Sequence, residues 1–429
     1  MERIAIIGSG IAGLAAAREL TRASGRRSVT LFEGQAHFGG HANTVDVTLD
    51  GVTHGVDTGF LVYNERTYPM LIRLFAEIGV ETARSDMSFS VQARDHAIEW
   101  SGSSLASVFA QRSNLLRPAF WRMLTEITRF NRLASAIAPH IEAAMAEQTV
   151  GEFLDQHHFS REFRQWYLLP MIGCIWSCRG EQMLAFPVAT LIRFCQNHGL
   201  LQIADRPQWM TVRGGSRQYV RRIVDHLHDA RLSTPVLGVK RVDTGALVRT
   251  ASGAEHFEQM VFACHSDQTL RLLGADATPA EARVLGAIRY QPNRAVLHTD
   301  ASVLPTRRRA WAAWNYESSN AGGDAAVCLH YLINRLQPLP WPQPVIVSLN
   351  PLREPRAGTV IQRFDYDHPV FDVGAIAAQR RLSEIQGRRR SWFCGAWAGY
   401  GFHEDGLSAG MSVAEALVRA SNVPQRGVA

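Results

Sequence analysis

The sequence predicts an α/β protein in which a parallel-sheet domain, assembled from three separated segments, carries an inserted α+β domain. The first observation is a strand, a glycine turn, a helix and a second strand within residues 1–44. The second is a glycine pair at 214–215 that a helix and further strands follow. The third is a short apolar strand at 392–397 that leads through glycines into a helix. Strands that alternate with helices are typical of parallel sheets.

The first segment is a βαβ unit with the glycine spacing of a dinucleotide-binding turn. An apolar strand at 3–7 runs directly into Gly8-Ser9-Gly10-Ile11-Ala12-Gly13. In such a turn Gly8 allows the bend, Gly10 lets the backbone approach a pyrophosphate, and Gly13 lets the helix pack on the strand. The helix also directs unpaired N–H groups at the phosphates. We therefore predict nucleotide contacts for Gly8, Gly10, Ile11, Ala12 and Gly13.

An acidic residue, Glu33, ends the second strand of this unit, twenty residues after Gly13. A carboxylate at this place accepts hydrogen bonds from ribose hydroxyls. Its charge would repel a 2′-phosphate, so NADP is disfavoured. We predict that Glu33 and the adjacent Gly34 belong to the nucleotide site.

A second glycine pair, Gly39 and Gly40, follows soon after and continues into His41. The pair brings the backbone close to a second region of the ligand, and we predict that Gly39, Gly40 and His41 belong to the cofactor site. Here the sequence resembles the flavin-containing amine oxidase superfamily, which includes monoamine oxidases, phytoene desaturases and protoporphyrinogen oxidases. The resemblance implies an amine oxidase-like flavoprotein of two domains, in which a Rossmann-like FAD-binding domain carries a substrate domain. The family has an arginine where this chain has His41. The run from Asp57 to Phe60 resembles the family's D-x-G segment, which implies that Asp57, Gly59 and Phe60 line the flavin.

Two later segments extend the resemblance. Residues 209–265 resemble the family's second FAD segment, in which the backbone of a strand valine meets the adenine, and by position this valine is Val236. In the last segment the resemblance implies a helix whose N-terminus points at the flavin. The predicted cofactor contacts here are Gly395, Asp405, Gly406 and Leu407. Cys394, the cysteine nearest to this block, lies inside a predicted strand, so we expect FAD to be bound non-covalently.

The segments and the stretches between them divide the chain into two discontinuous domains. We assign residues 1–75, 205–275 and 385–422 to the FAD-binding domain and residues 76–204 and 276–384 to the substrate domain. Within the substrate domain, residues 105–147 interleave five arginines with apolar and aromatic side chains. This pattern indicates either a helix at a membrane surface or an ordinary amphipathic helix that covers the domain. The aromatic block at 163–177 either lines an apolar tunnel or fills the core.

Composition places the chain among globular proteins, since 46% of its 429 residues are hydrophobic and 20% are charged. The net charge of +6 comes from arginine, because Lys240 is the only lysine. A basic surplus suits nucleic acid, an anionic membrane or no special partner, and we predict no nucleic-acid partner. Six cysteines without CxxC pairs indicate neither a zinc site nor disulfides. We expect a cytoplasmic protein, free or peripheral on the inner membrane face.

His403 is the candidate acid or base, with Glu404 as its orienting partner. The resemblance places a substrate-cage residue three positions before Gly406, and that position is His403. Imidazole titrates near neutrality and can relay a proton during C–H oxidation. Alternatively, His403 only hydrogen-bonds the flavin or a loop carbonyl. Amine oxidases of this family usually hold a lysine near the flavin, and Lys240 lies at the adenine end, which disfavours an amine substrate.

Nearly the whole chain resembles a bacterial group of amine-oxidase-like flavoproteins, similar also to the flavoprotein domain fused ahead of plant cyclopropane fatty acid synthases. The residues that carry this resemblance are 8–13, 60–64, 311–316, 348–351 and 399–406. It implies oxidation or desaturation of an apolar acyl chain, such as a methylated or cyclopropane-related fatty acid in phospholipid. Two other functions stay open: an amine or polyamine oxidase, and a flavin-binding accessory partner of a lipid methyltransferase.

Overall fold

The structure is a computed structural model that describes residues 1–23, 27–141, 148–177, 180–202, 206–318 and 328–422. Three features named above fall outside these residues. They are the end of the arginine-rich stretch at 142–147, Cys178, and the domain boundary at 204–205.

The strands of the described part form two large sheets and three smaller ones. In chain order they are β1 (Glu2–Ile7), β2 (Arg27–Phe32), β3 (Thr44–Leu49), β4 (Val52–Asp57), β5 (Tyr63–Asn64), β6 (Thr82–Ser85), β7 (Phe89–Ala93), β8 (Ile98–Ser101), β9 (Trp209–Val212), β10 (Asp229–Arg231), β11 (Gly238–Val242), β12 (Gly245–Thr250), β13 (Gly253–Phe257), β14 (Gln259–Phe262), β15 (Arg289–His298), β16 (Trp314–Ser318), β17 (Cys328–Leu332), β18 (Ile346–Leu349), β19 (Val360–Val370) and β20 (Ser391–Phe393).

The helices cover both faces of the first sheet and one side of the insert. They are α1 (Ile11–Arg22), α2 (Pro69–Glu77), α3 (Leu105–Val108), α4 (Pro118–Ile137), α5 (Val150–Gln156), α6 (Arg161–Phe163), α7 (Leu169–Trp176), α8 (Gly180–Leu184), α9 (Val188–Asn197), α10 (Arg217–Val224), α11 (Ser266–Leu273), α12 (Pro279–Gly286), α13 (Ile333–Leu336), α14 (Val373–Arg380) and α15 (His403–Asn422). Among the described helices, none combines the length and apolarity needed to traverse a lipid bilayer.

The first sheet is parallel, with the strand order β10-β2-β1-β14-β20. Successive side chains of a strand face opposite sides, so Ile4 and Ile6 of β1 enter one core whereas Ala5 and Ile7 enter another. Both faces are therefore buried, as a parallel sheet requires. This arrangement confirms the predicted α/β class.

Helices α1 and α15 pack closely on this sheet although they lie at opposite ends of the chain. A Cβ atom on Gly410 of α15 would lie 2.1 Å from the carbonyl oxygen of Ala12 in α1. Only a glycine permits this approach. The contact fixes the start of α15 beside the glycine turn that opens α1.

The insert is built on a seven-stranded sheet with the order β19-β15-β18-β17-β16-β7-β8. Its pairs are antiparallel except for β16 with β7. Strands β7 and β8 come from the first insert and the others from the second, so the two inserts form one domain. Its large core joins this sheet to helices α4 to α9 and includes Phe130, Phe163, Ile172, Leu191 and Leu329. The inserted domain is thus α+β, as predicted.

One stretch of the second segment differs from the sequence prediction. Val236 lies in the loop between β10 and β11 rather than in a strand. Pro235 precedes it and has no N–H to contribute to a strand pairing, which explains why the chain leaves the sheet edge here.

Helices α12 and α14 lie within residues 276–384, the range assigned above to the substrate domain. Nevertheless, Val284 of α12 and Ala375 of α14 pack in the same core as Phe262 and Phe393 of the parallel sheet. The chain joins the seven-stranded sheet only at β15. Apolar periodicity alone could not indicate which sheet these helices cover.

Candidate functional site

A cavity of about 1080 Å³ lies where the carboxyl ends of the parallel strands meet the seven-stranded sheet. Ile7, Phe32 and Ala263 line it from the first sheet, and Phe89 and Trp314 line it from the second. Ligands of open parallel sheets bind at this edge. The cavity is therefore the candidate active site.

The first glycine turn forms one wall of the cavity. Gly8 has a φ of +105°, its N–H donates to the Phe32 carbonyl at 2.9 Å, and an added Cβ would lie 2.9 Å from the Ala263 oxygen. Gly10 has no neighbouring atom within 4 Å of an added Cβ. Gly8, Gly10, Ile11 and Ala12 line the cavity, as predicted for nucleotide contacts.

Gly13 has a structural role that differs from the roles of Gly8 and Gly10. It does not line the cavity, and a Cβ on it would lie 1.9 Å from the Gly8 oxygen. Its role is to let α1 pack against the turn, which is the third function that the motif predicted for it.

Glu33 lies at the end of β2 and lines the cavity together with Gly34 and Val236. One carboxylate oxygen of Glu33 accepts hydrogen bonds from Ser9 Oγ at 2.5 Å and from Ser9 N–H at 3.1 Å. The other oxygen accepts from the Gln35 N–H at 2.8 Å. The carboxylate is thereby oriented at the edge where a ribose is expected.

The second glycine pair and the segment around Gly59 form one continuous wall. Gly39, Gly40, His41, Gly59 and Phe60 all line the cavity. The Phe60 N–H donates to the His41 carbonyl at 2.7 Å, and a Cβ on Gly59 would lie 2.3 Å from that oxygen. The structure thus brings these five predicted residues together.

His41 contributes a buried polar atom that has no hydrogen-bond partner in the described residues, its Nε2. The ring stacks on Tyr366 at 4.9 Å and lies 5.3 Å from His368. Burial, together with neighbouring imidazoles, holds the pKa of His41 well below its usual range. The imidazole is therefore neutral, unlike the arginine that the resemblance places at this position.

Asp57 does not line the cavity. Its buried carboxylate accepts hydrogen bonds from Ser216 N–H and Oγ, from Thr44 Oγ1 at 2.6 Å and from Gln337 Nε2 at 2.7 Å. Burial raises the pKa of Asp57 to about 6. The structure therefore places Asp57 behind the cavity wall that it was expected to line. Its hydrogen bonds there connect three distant segments of the chain.

In the C-terminal segment, Gly395 lines the cavity but Asp405, Gly406 and Leu407 do not. The Asp405 carboxylate accepts from the Phe402 N–H at 2.9 Å and so holds the turn that opens α15. A Cβ on Gly406 would lie 2.7 Å from Ile11 Cγ2. These residues position α15 against α1 instead of facing the cavity.

His403, the first residue of α15, does line the cavity. Its ring stacks on Phe60 with a centroid distance of 3.6 Å, and its Nε2 lies 2.8 Å from the Tyr219 hydroxyl. Burial lowers the pKa of His403 to about 3. The expectation that this imidazole titrates near neutrality is therefore corrected: it is neutral across the physiological range.

Glu404 is not the partner of His403. Its two carboxylate oxygens accept from the N–H groups of Met70 at 2.7 Å and Leu71 at 3.0 Å, in the first turn of α2. A carboxylate at a helix N-terminus satisfies N–H groups that the helix leaves unpaired. The partner of His403 is Tyr219, which sequence reasoning did not find.

Much of the cavity wall that the insert contributes is apolar. We call this apolar portion, together with Trp209 of β9, the apolar arm. Its lining comes from β9 and, within the insert, from α7, α9, β7, β16, β17, β19 and neighbouring loops. It consists of Met87, Phe89, Met171, Ile175, Phe194, Leu200, Trp209, Trp314, Tyr331 and Phe364. None of these side chains carries a charge. Of the charged groups that line the cavity, Glu33 and Arg271 lie outside the insert, whereas Arg363, Asp365 and Asp367 lie on β19 at exposed positions that alternate with Phe364.

Comparison with known families decides what this cavity holds. The model of the flavin-containing amine oxidoreductases matches residues 11–325. The chain belongs to this family. It is accordingly an FAD-dependent oxidoreductase, and the family resemblance drawn from the sequence is confirmed. No curated protein is significantly similar in sequence.

Solved structures with this flavoprotein fold span the full chain at low sequence identity. Cyclohexylamine oxidase from Brevibacterium oxydans IH-35A is similar with a TM-score of 0.71 and 17% identity, over 98% of this chain and 99% of that one. A CLA-producing fatty acid isomerase from P. acnes has a TM-score of 0.67 and 14% identity, over 97% and 98%. Putrescine oxidase bound to putrescine has a TM-score of 0.64 and 16% identity, over 97% and 99%. At these identities the likeness concerns the fold.

Two structural observations indicate that the residues lining the cavity fit FAD. The space beside Gly10 is open, and His41 Nε2 is a buried polar atom without a partner in the described part of the chain. Glu33 and Val236 would hold the adenosine half, the glycine turn the pyrophosphate, and the wall around Gly59 the flavin. FAD supplies two-electron oxidation chemistry, while the protein binds, orients and tunes it.

Lys240 lies away from the cavity of this flavoprotein. It is an exposed residue of β11, in the antiparallel sheet β11-β12-β13, and it does not line the cavity. Because it is the only lysine of the chain, no lysine is available beside the flavin. This absence separates the chain from the lysine-containing oxidases that it resembles.

The described cysteines are all free, and two of them, Cys174 and Cys264, line the cavity. Burial raises the pKa of Cys264 to about 11 and that of Cys174 well above its usual range. Cys394 is buried behind the wall. Thiols held in the neutral form are weak nucleophiles.

A second buried cluster, in the seven-stranded sheet, brings together Glu317, Cys328 and His330, three residue types that bind metals. These three side chains already contact one another by hydrogen bonds. His298 Nδ1 accepts from the backbone N–H two residues on, so its Nε2–H donates to Ser348 Oγ at 2.7 Å. The serine donates in turn to His330 Nδ1 at 2.7 Å. The Nε2–H of His330 therefore donates to Glu317 at 2.9 Å.

Sequence reasoning missed several residues of the cavity wall. Tyr366 and His368 lie on β19 at alternate positions after Phe364, and all three line the cavity. The Tyr366 hydroxyl also lies 2.7 Å from Thr58 Oγ1. Alternation along β19 could have shown that these residues share one face, but not which face meets the flavin domain.

Proposed function

We propose that this FAD-dependent oxidoreductase oxidises an apolar lipid acyl chain and introduces a double bond. The observation that carries the proposal is the apolar arm, which opens into the same cavity as the FAD-binding walls. Burial of one methylene group contributes about 0.8 kcal/mol. An acyl chain therefore gains binding energy along the whole arm, whereas a charged amine would lose its hydration there.

Two further observations favour a lipid over an amine. A buried ammonium group needs a carboxylate or a hydrogen-bonding cage; the residues of the arm include no carboxylate, and the two that the insert adds to the cavity, Asp365 and Asp367, are exposed rather than buried. The chain also has no lysine beside the flavin site. The fold itself is compatible with either substrate, because both amine oxidases and a fatty acid isomerase adopt it.

The chemistry requires removal of two hydrogen atoms from neighbouring carbons. FAD, when bound, would supply the two-electron acceptor for the hydride from one carbon, and the adjacent carbon loses a proton, so that the new double bond lies between the two carbons. We propose that the neutral imidazole of His403 accepts this proton at Nδ1, since the residue lines the cavity and its Nε2 is engaged with Tyr219. The Tyr219 hydroxyl at 2.8 Å keeps the ring in place.

A substrate panel tests the proposal with purified holoprotein under anaerobic conditions. Loss of the visible flavin absorbance is followed after addition of unsaturated or methyl-branched phospholipids, and separately after addition of monoamines and polyamines. We expect the lipids to reduce the flavin and the amines to leave it oxidised. Reduction by amines alone would overturn the proposal.

A matched pair of variants localises the effect to the arm. Ile175→Asp places a carboxylate within the arm, whereas Leu237→Asp adds the same charge at a residue that is 50% exposed and outside the cavity. We expect the first variant to lose reduction by lipid at least about tenfold, because a buried carboxylate beside an acyl chain lacks a partner. The second variant should behave like the unmodified protein.

A further inference from the structure

We propose that one exposed face of the insert binds the surface of an anionic lipid bilayer. We call this face the basic-apolar patch. It consists of α3, the 3₁₀ turn Arg112–Leu116, the first turns of α4, and the 3₁₀ turn Arg308–Ala310. The patch is separate from the FAD cavity, and its residues do not line that cavity.

The apolar part of the patch is unusually exposed. Leu116 and Leu105 expose 88% and 81% of their surface, and Leu115 and Trp121 expose 47% and 45%. These four are one third of the twelve large hydrophobic residues that are exposed in the described part of the chain. Single exposed leucines are common, but clustered apolar groups mark an interaction surface.

The exposed side chains of the patch are anchored on buried residues. The Trp121 indole N–H donates to the Leu115 carbonyl at 3.0 Å, and its ring packs on Phe109 at 5.3 Å. Beneath them Phe120 and Met123 are fully buried. The apolar groups therefore project from a packed scaffold instead of from a long free loop.

The charge around this apolar surface is basic. Residues 101–125 contain three arginines and no aspartate or glutamate. The turn Arg308–Ala310 packs against α3 and β8, so Arg308 and Arg309, both exposed, join the same face from a distant part of the chain. Two acids beside the patch are engaged: Glu99 is buried and accepts from Arg307 at 2.9 Å, and Glu162 lies 3.9 Å from Arg122.

This combination matches an anionic membrane in particular. Apolar side chains enter the acyl region while arginines extend to the phosphate groups around them. Each basic residue at such a surface contributes about 1 kcal/mol, and the contribution falls with added salt. A second protein would not require the charge, and nucleic acid would not require the leucines.

The patch is also connected to the proposed substrate site. Phe89, which lines the apolar arm, packs against Trp100 and Phe120 in the cluster that supports the patch. A bilayer at the patch would place acyl chains close to the insert. The use of the bilayer as a source of substrate rests on the proposed function, but binding to the bilayer does not.

Vesicle co-sedimentation of the holoprotein tests the inference. Vesicles of phosphatidylcholine are compared with vesicles of phosphatidylcholine and phosphatidylglycerol, at low and at high salt. We expect binding to the anionic vesicles at low salt, and binding at least about tenfold weaker to the neutral vesicles. Equal binding to both, or no binding to either, would overturn the proposal whatever the substrate panel shows.

Three double variants localise the contact. Leu115→Ser with Leu116→Ser removes apolar surface, and Arg112→Glu with Arg309→Glu reverses charge within the patch. Arg388→Glu with Arg419→Glu makes the same charge change at exposed residues of the FAD-binding domain. We expect the first two variants to lose anionic vesicle binding and the third to keep it, all with normal FAD content. Equal losses of vesicle binding in the second and third variants would contradict the assignment of the patch as the membrane-binding surface.

A fluorescence measurement keeps the test independent of these substitutions. Lipids with brominated acyl chains quench tryptophans that enter the acyl region. We expect quenching in the unmodified protein that Trp121→Phe removes. Quenching that persists unchanged in this variant would show that another surface enters the membrane and would overturn the assignment.

Discussion

The Tyr219 hydroxyl lies 2.8 Å from Nε2 of His403 and links α10 to the first residue of α15. Both residues belong to segments that carry the FAD-binding walls, and the histidine stacks directly on Phe60, which also lines the cavity. The contact therefore sets the orientation of an imidazole in the cavity wall.

Substitution of Tyr219 by phenylalanine should reduce turnover more than it reduces cofactor binding. The variant removes one hydrogen bond worth about 1 kcal/mol and frees the ring to turn, so we expect flavin reduction by substrate to slow about tenfold. FAD content should stay normal, since the hydroxyl does not line the cavity. Rapid-mixing absorbance measures the rate, with His403→Ala as the more severe comparison. A variant with full rate, combined with FAD loss in His403→Ala, would assign the histidine a purely structural role.

Alanine substitutions at Gly10 and Gly13 should separate cofactor binding from folding. A Cβ on Gly13 would lie 1.9 Å from the Gly8 oxygen, so we expect Gly13→Ala to destabilise the apoprotein by about 2 kcal/mol or more. A Cβ on Gly10 meets no atom within 4 Å, so the apoprotein should keep its stability. This methyl group would still occupy the space where a pyrophosphate approaches, and we expect weaker FAD binding. Urea denaturation of both apoproteins and FAD titration are the measurements; equal losses of stability would contradict the assignment.

FAD should be released intact when the protein is denatured. Burial keeps the thiols of Cys174 and Cys264 in the neutral form, and Cys394 lies outside the cavity. None of these groups is suited to attack the flavin. Heat or acid precipitation should leave a colourless pellet and a yellow supernatant. A yellow pellet that keeps its colour after washing would show a covalent link.

Stability should fall as the pH is lowered from about 6.5 towards 4. Burial lowers the pKa values of four histidines to about 4 or below; these are His198, His298, His368 and His403. In the unfolded chain they gain protons near pH 6.5, so in this interval the unfolded state binds more protons and is favoured. Burial raises the pKa values of Asp57 and Asp405 to about 6, so these two carboxyl groups favour the folded state in this interval. They are fewer than the histidines.

Urea midpoints across this pH interval measure the effect. His298→Asn should flatten the dependence, because it removes one buried imidazole, whereas His140→Asn, at an exposed residue, should leave it unchanged. A midpoint that rises on acidification would contradict the histidine account.

The backbone of the cofactor site could be predicted from the sequence, because glycines occur where the local backbone must turn or approach another group closely. Gly8, Gly10, Gly39, Gly40 and Gly59 line the cavity as the motifs indicated. Each allows a turn or a close approach that its neighbours in the chain already define. Local patterns of this kind do not depend on the rest of the fold.

Side-chain partners across the fold could not be predicted in this way. Glu404 bonds the start of α2, more than three hundred residues earlier, and Asp57 bonds Gln337 of the second insert. Arg309 joins the basic-apolar patch only because its turn packs on α3. These contacts depend on how separate segments meet, which no single stretch of sequence contains.

The most direct test of the account is the lipid composition of a strain that lacks this protein. Phospholipid acyl chains are compared by mass spectrometry among the parent strain, the deletion strain, and deletion strains that express the unmodified protein or Ile175→Asp. We predict that deletion removes an acyl species with two fewer hydrogens than its precursor, and that only the unmodified protein restores it. An unchanged acyl profile in the deletion strain would contradict the assignment of a lipid substrate.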